Sequence, residues 1–242
     1  MTTEHTIYFA GDLFDHKDLI GNALMASYIN QVSEGRYRCV LPQDLEQTSA
    51  RSVDIRNQDL ATLMECDLAI FNFDGLELDS GTVVEFMYAK MLDIPCVVIR
   101  SDFRRSGDQG SASAEEGDDW NLMASFYPRS RKLQFNAMEW YQQEVARGGP
   151  LDEITSRLYT RIATAMIEAL DQVKAEPSIL TGDNHDIARV YNWALKFPGV
   201  GLTDAPVDVA KIIQEKIAKG KRKDRAKGAI NTMRIRKRKR TR

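Results

Sequence analysis

The chain has 242 residues, enough for one domain of ordinary size with appendages or for two small ones. Hydrophobic residues make up 43% and charged residues 28%, which excludes a disordered chain, and no run of 18 apolar residues is present to cross a membrane. The net charge of −2 conceals an asymmetry: residues 219–242 carry thirteen Lys or Arg against one Asp, so an acidic body bears a basic end.

The first segment, "MTTEHTIYFAGD", has no signal-peptide layout and leads into a short apolar run over 6–11 that reads as a buried strand. A cytoplasmic protein is expected. Residues 17–33 have helical spacing, with Leu19, Ile20, Ala23, Leu24, Ser27, Tyr28 and Val32 as the expected inner side. "YRCVLP" (37–42) is a second strand, stopped by Pro42. A helix over 52–66 follows, carrying Val53, Ile55, Leu60, Leu63 and Met64 mostly on one side. "DLAIFNF" (67–73) is a third strand, 80–92 a helix, "IPCVVIRS" (94–101) a fourth strand and "RKLQFN" (131–136) a weaker fifth. Two helices are read over 138–175, then a break at "EPSILTGDNHD" and a helical, partly apolar stretch from 184 to 219.

Strands alternating with helices at this spacing predict an α/β fold, a parallel five-stranded sheet flanked by helices, in the Rossmann or flavodoxin-like manner. Runs as apolar as "PCVVI" suit strands buried on both sides. The expected organisation is a sheet domain over 1–178, a helical extension over 179–218 and a basic tail over 219–242. Sites in such folds lie beyond the carboxyl ends of the strands. That edge holds Gly11–Phe14, Phe73–Asp79 and the polar 104–119 segment, a mobile insertion or a lid. Cys39, Cys66 and Cys96 are odd in number, form no C-x-x-C and share no ligand spacing with His5, His16 or His185, so neither a disulfide framework nor a metal site is expected. No cofactor is called for.

Around "LELDSGTVVEFMYAK" (76–90) two readings stay open. Thr82 and Glu85 fit the S/T-x-x-E capping box, and Asp79 before a helix start suits the helix dipole. Asp59 would then be an ordinary helix residue and Tyr8 a core side chain. Against this, Asp59, Asp79 and Glu85 fall near one edge of one sheet, with Tyr8 on its central strand. Two carboxylates and a phenol at such a mouth suit glycosyl transfer, one acid attacking the sugar carbon and the other protonating the leaving base.

Four segments in order resemble the nucleoside 2-deoxyribosyltransferase family, a relative of the 2′-deoxynucleoside 5′-phosphate N-hydrolases. They are "IYFAGDLF", "NQDLATLMECDLAIFNFDG", "DSGTVVEFMYA" (the family's D-x-G-x-x-x-E-x-x-x-A) and "NLM" at 121–123. The resemblance covers about residues 6–125 and implies transfer of 2-deoxyribose between nucleobases. Glu85 would be the nucleophile, Tyr8 its orienting partner and Asp59 the acid and base towards the nucleobase. Asp79 would hold a sugar hydroxyl, and Gly11, Asp12 and Phe14 would line the base. Asn121 and Met123 would serve the sugar site of a neighbouring subunit, since the family builds its sites across a homo-oligomer. Asp12 and Leu13 depart from the small and aromatic residues often found there.

The expected partners are therefore deoxynucleosides and free nucleobases. Two other functions stay open: hydrolysis of a deoxynucleoside 5′-monophosphate, with Arg104 and Arg105 as phosphate contacts, and a non-catalytic nucleotide- or nucleic-acid-binding module. The tail reads either as a solvated end or as a weak nucleic-acid contact through clustered Lys and Arg.

Overall fold

The computed structural model describes residues 4–45, 51–75, 77–102, 121–181 and 184–217. Strands β1 (His5–Ala10), β2 (Tyr37–Val40), β3 (Leu68–Asn72), β4 (Cys96–Arg100) and β5 (Ser130–Gln134) form one sheet in the order β2-β1-β3-β4-β5. All neighbours are parallel, with Tyr8 opposite Val40 on one side and Ala69 on the other. The chain therefore goes outward from β1 to β2, then crosses back to β3. That reversal opens a crevice at the carboxyl ends of β1 and β3, where such sheets bind ligands.

Alternation along β1 divides the core into two layers. Ile7 and Phe9 point to α1 (His16–Val32) and α5 (Leu151–Ala175), where Met25, Ile29, Ile162, Met166 and Leu170 close one face. Tyr8 and Ala10 point the other way, to α2 (Ser52–Glu65) and α3 (Ser80–Met91). Both helices turn apolar stripes to the sheet, Leu60, Leu63 and Met64 from α2, Phe86 and Ala89 from α3. α4 (Ala137–Ala146) lies beside α5, with Arg157 of α5 bonded to Glu144.

The helical extension is present as α6 (Asn184–Lys196), a short 3₁₀ turn at Leu202–Asp204 and helical residues 209–217. Tyr191, Ala194, Leu202, Val209, Ile212 and Ile213 enter the same core cluster as α2 and α3. The parallel sheet, its strands and the flanking helices agree with the sequence expectation to within a residue or two at most ends. The inner side of α1 does not. Asn22, Met25 and Ile29 are buried, while Leu19 and Ile20 are exposed. The helix is apolar on several sides, so periodicity alone could not choose one. On the buried side Met25 and Ile29 pack into the core, and the Asn22 amide donates to the Asp12 carbonyl at 2.9 Å. The 104–119 segment and the basic tail lie outside the described residues.

Candidate active site

The start of α3 shows how Glu85 is used. Asp79 is its N-cap: Oδ2 accepts from the Thr82 backbone N–H at 2.6 Å and from the Thr82 hydroxyl at 2.9 Å. Thr82 is thus inside the helix and already engaged, so the Thr82–Glu85 capping box does not form. Glu85 lies a turn further in and faces the sheet. There the Tyr8 hydroxyl donates to its Oε1 at 2.6 Å.

Burial chiefly governs the titration of these groups. It lifts Glu85 to about 7, the Tyr8 bond working against the lift and the charges of Asp59 and Asp79 adding to it. Burial lifts Asp59, in the middle of α2, to about 6. It also raises the Tyr8 phenol well above its usual range, helped by the charges of Glu85 and Asp59, so Tyr8 remains a donor. Asp12 is raised by burial and then by Asp79, Asp18 and Asp15. Tyr8, Asp12, Asp59, Asp79 and Glu85 therefore share one electrostatic neighbourhood at the edge of β1 and β3.

The remaining residues singled out in the sequence frame that neighbourhood unequally. Gly11 turns the chain off β1 hard against β3: a Cβ there would sit 2.9 Å from Asn72 Cβ. Phe14 is 77% exposed and Met123 is 75% exposed, so neither is packed within this chain. Asn121 caps the 3₁₀ turn Leu122–Ala124, its Oδ1 accepting from the Ala124 N–H at 3.0 Å. That turn is tied to α3 through Tyr127, whose ring meets Phe86 edge-on and whose hydroxyl donates to the Met123 carbonyl at 3.1 Å. Arg104 and Arg105 lie outside the described residues. Among those described, no group of three His, Cys, Asp or Glu side chains is placed to hold a metal ion. None of the described helices is long and apolar enough to cross a membrane.

Two residues at this edge were not anticipated. Asp74, just past β3, accepts from the Ser101 N–H and hydroxyl and from the Asp102 N–H. The buried Arg100 side chain donates to the Phe73 carbonyl. Together they stitch the ends of β3 and β4 and hold the floor of the crevice. The "NFDG" turn after a strand signals a carboxylate at this edge, but no local pattern ties it to residues 27 and 28 positions later.

The family model described as nucleoside 2-deoxyribosyltransferase matches residues 7–123. That stretch is the one over which the sequence motifs resemble the family. Among solved structures, the chain is similar to a conserved protein from Enterococcus faecalis V583, at 26% identity over 64% of this chain and 99% of that one, with a TM-score of 0.46. It is similar to a 2-desoxiribosyltransferase from Leishmania mexicana, at 23% identity over 60% and 99% of the two chains, with a TM-score of 0.42. A CMP N-glycosidase from Clostridium botulinum is matched at 12% identity over 59% and 98%, with a TM-score of 0.35. No curated protein matches.

Proposed function

We propose that the protein transfers 2-deoxyribose between nucleobases through a covalent deoxyribosyl-glutamate at Glu85. The observation that carries this reading is the 2.6 Å bond from Tyr8 to Glu85 Oε1 within a group of carboxylates whose charged neighbours, among the described residues, are other carboxylates. The bond occupies one oxygen and orients the carboxylate, leaving Oε2 to attack C1′ of the sugar. The C1′–N bond breaks as the C1′–O bond forms, and its electron pair passes to the base nitrogen, which takes a proton from Asp59. The lack of a 2′-hydroxyl eases the oxocarbenium-like state, so two carboxylates suffice. An incoming base then attacks the same carbon and returns its proton to Asp59. Two inversions give net retention.

In this reading Asp79 accepts from a sugar hydroxyl through Oδ1, its Oδ2 being spent on the helix cap. Gly11, Asp12 and Phe14 line the base. Asn121 and Met123, on a turn that exposes Met123, reach the sugar bound by a neighbouring copy of the chain. Deoxynucleosides are preferred to their 5′-monophosphates, because Asp12 and Asp79 repel a phosphate at close range by about 1 kcal/mol or more each.

The test is incubation with a deoxynucleoside and a different free base, with the products separated by chromatography. A new deoxynucleoside is expected, and a slow 2-fluoro-deoxynucleoside should add the sugar mass to a peptide containing Glu85. Preference for the 5′-monophosphate, with free base leaving the product unchanged, would replace the transferase by the N-hydrolase reading.

A further inference from the structure

The match to the family model stops at residue 123, yet residues 184–217 touch both helices that carry the acid pair. On α3, Tyr88 stands three positions after Glu85. Its ring is buried, and its hydroxyl lies 2.6 Å from the Ala194 carbonyl and 3.5 Å from Met64 Sδ of α2. On α2, Asn57 stands two positions before Asp59. It too is buried, and its amide donates to the Val200 carbonyl at 2.8 Å while its Oδ1 accepts from Arg56. The fit at Asn57 is close: a Cβ on Gly201, which has φ +81°, would come within 2.8 Å of Asn57 Nδ2. A third tie runs from Lys216 to the Cys66 carbonyl at the end of α2, at 2.9 Å.

We propose that the Ala194–Val200 segment is a positioning brace, its two carbonyls fixing α3 and α2 against each other and so setting Glu85 opposite Asp59. This rests on the proposed function. Apolar burial is non-directional and holds the two helices to the sheet without fixing how far each slides along it. A hydrogen bond fixes direction and distance. Here each acid-bearing helix is bonded within a turn of its acid, α2 through Asn57 with Arg56 beside it, and these bonds end on a single seven-residue stretch beyond the matched residues. Tyr88 and Asn57 are thus positioning residues acting through Glu85 and Asp59, and they touch no substrate.

The experiment uses the full chain with Tyr88→Phe, which keeps the ring, and Asn57→Ala. Base exchange is measured across pH for kcat and KM, the melting temperature is recorded, and the Asp59 carboxyl is titrated by carbon NMR on aspartate-labelled protein, assigned with Asp59→Asn. In folded variants kcat should fall about tenfold with KM little changed, as expected for reacting groups displaced by a fraction of an ångström. The Asp59 midpoint should move down from about 6 as water reaches the loosened crevice. Lower melting temperatures with unchanged kcat, pH profile and Asp59 midpoint would overturn the brace and leave the extension a packing element. If the wild-type chain exchanges no bases, the function reading fails, and the Asp59 midpoint alone still decides the brace.

Discussion

The chain contains the same contact twice, with opposite electrical outcomes. Tyr8 donates to Glu85 at 2.6 Å, and Tyr37 donates to Asp171 at 2.6 Å. Tyr8 and Tyr37 both lie in parallel strands and both phenols are raised by burial. Around Asp171 stand Arg36 at 3.1 Å and Lys174 at 3.3 Å. Burial pushes Asp171 upward, but the bonds from Tyr37 and Arg36 and the Lys174 charge outweigh it and hold its carboxyl below the ordinary range. Around Glu85 the neighbours are Asp59 and Asp79, and its carboxyl rises to about 7. The tyrosine bond is therefore no mark of an active carboxylate. What separates the two is whether cations complete the group, and a buried, incompletely compensated carboxylate is what a reaction centre can use.

The sharpest way to break that comparison is to remove both acids. Glu85→Ala should lower base exchange by roughly 10⁴-fold or more with the fold retained, since nucleophile loss removes the covalent route. Asp171→Asn should leave exchange unchanged. Equal losses in steady-state assays would put both pairs in one structural class.

Asp59→Asn comes next, with an expected loss of about 10²–10⁴-fold from removal of the acid and base. The productive state needs Glu85 ionised and Asp59 protonated. The wild-type kcat/KM profile should therefore be bell-shaped, with limbs near the values of about 6 and about 7 to which Asp59 and Glu85 are raised. The pair titrates as a unit, so neither limb belongs to one residue alone. A profile flat from pH 5 to 9 would remove both acids from the chemistry.

Stability should move in opposite directions at the two sites. Glu85 has a raised folded-state value, so its ionisation opposes folding. That cost is absent well below 4.5, grows as pH rises and is complete above about 7. Glu85→Gln should therefore raise the melting temperature at pH 8, by the equivalent of about 1–3 kcal/mol, and the gain should shrink towards pH 4.5. Asp171 has a lowered value, so its stabilisation is present above the ordinary carboxylate range and is lost as pH falls through it. Asp171→Asn should cost about 1 kcal/mol or less at pH 7, because Asp171 is 43% exposed and solvent screens the group. Thermal melts at pH 4 and pH 8 check both signs.

Much of the fold was legible because its signals are local. Short apolar runs such as "DLAIFNF", too short for a typical helix, suit strands buried on both faces, and the intervening helices have stripes of the right period. The candidate site was legible through spacing: Asp79 to Glu85 fits a helix start followed by an inward-facing second turn, which α3 realises. The capping box stayed an open reading because two side chains, Asp79 and Glu85, could compete for the Thr82 N–H, and Asp79 takes it. Sequence offers no rule for that competition.

By itself the sequence determined the strands, the helices, the parallel sheet and the identity of the acids at its edge, because each follows from periodicity or from a motif within a few residues. Tertiary structure decided the rest. It set the inner side of α1, where Met25 and Ile29 join the core and Asn22 bonds the Asp12 carbonyl 10 positions away. Among the described residues it set Asp59 and Asp79 beside Glu85, where Asp171 has Arg36 and Lys174. It laid the Ala194 and Val200 carbonyls across α3 and α2, more than 100 positions away along the chain. Desolvation, charge neighbourhood and long-range hydrogen bonds depend on which atoms meet in space, and no local pattern encodes that.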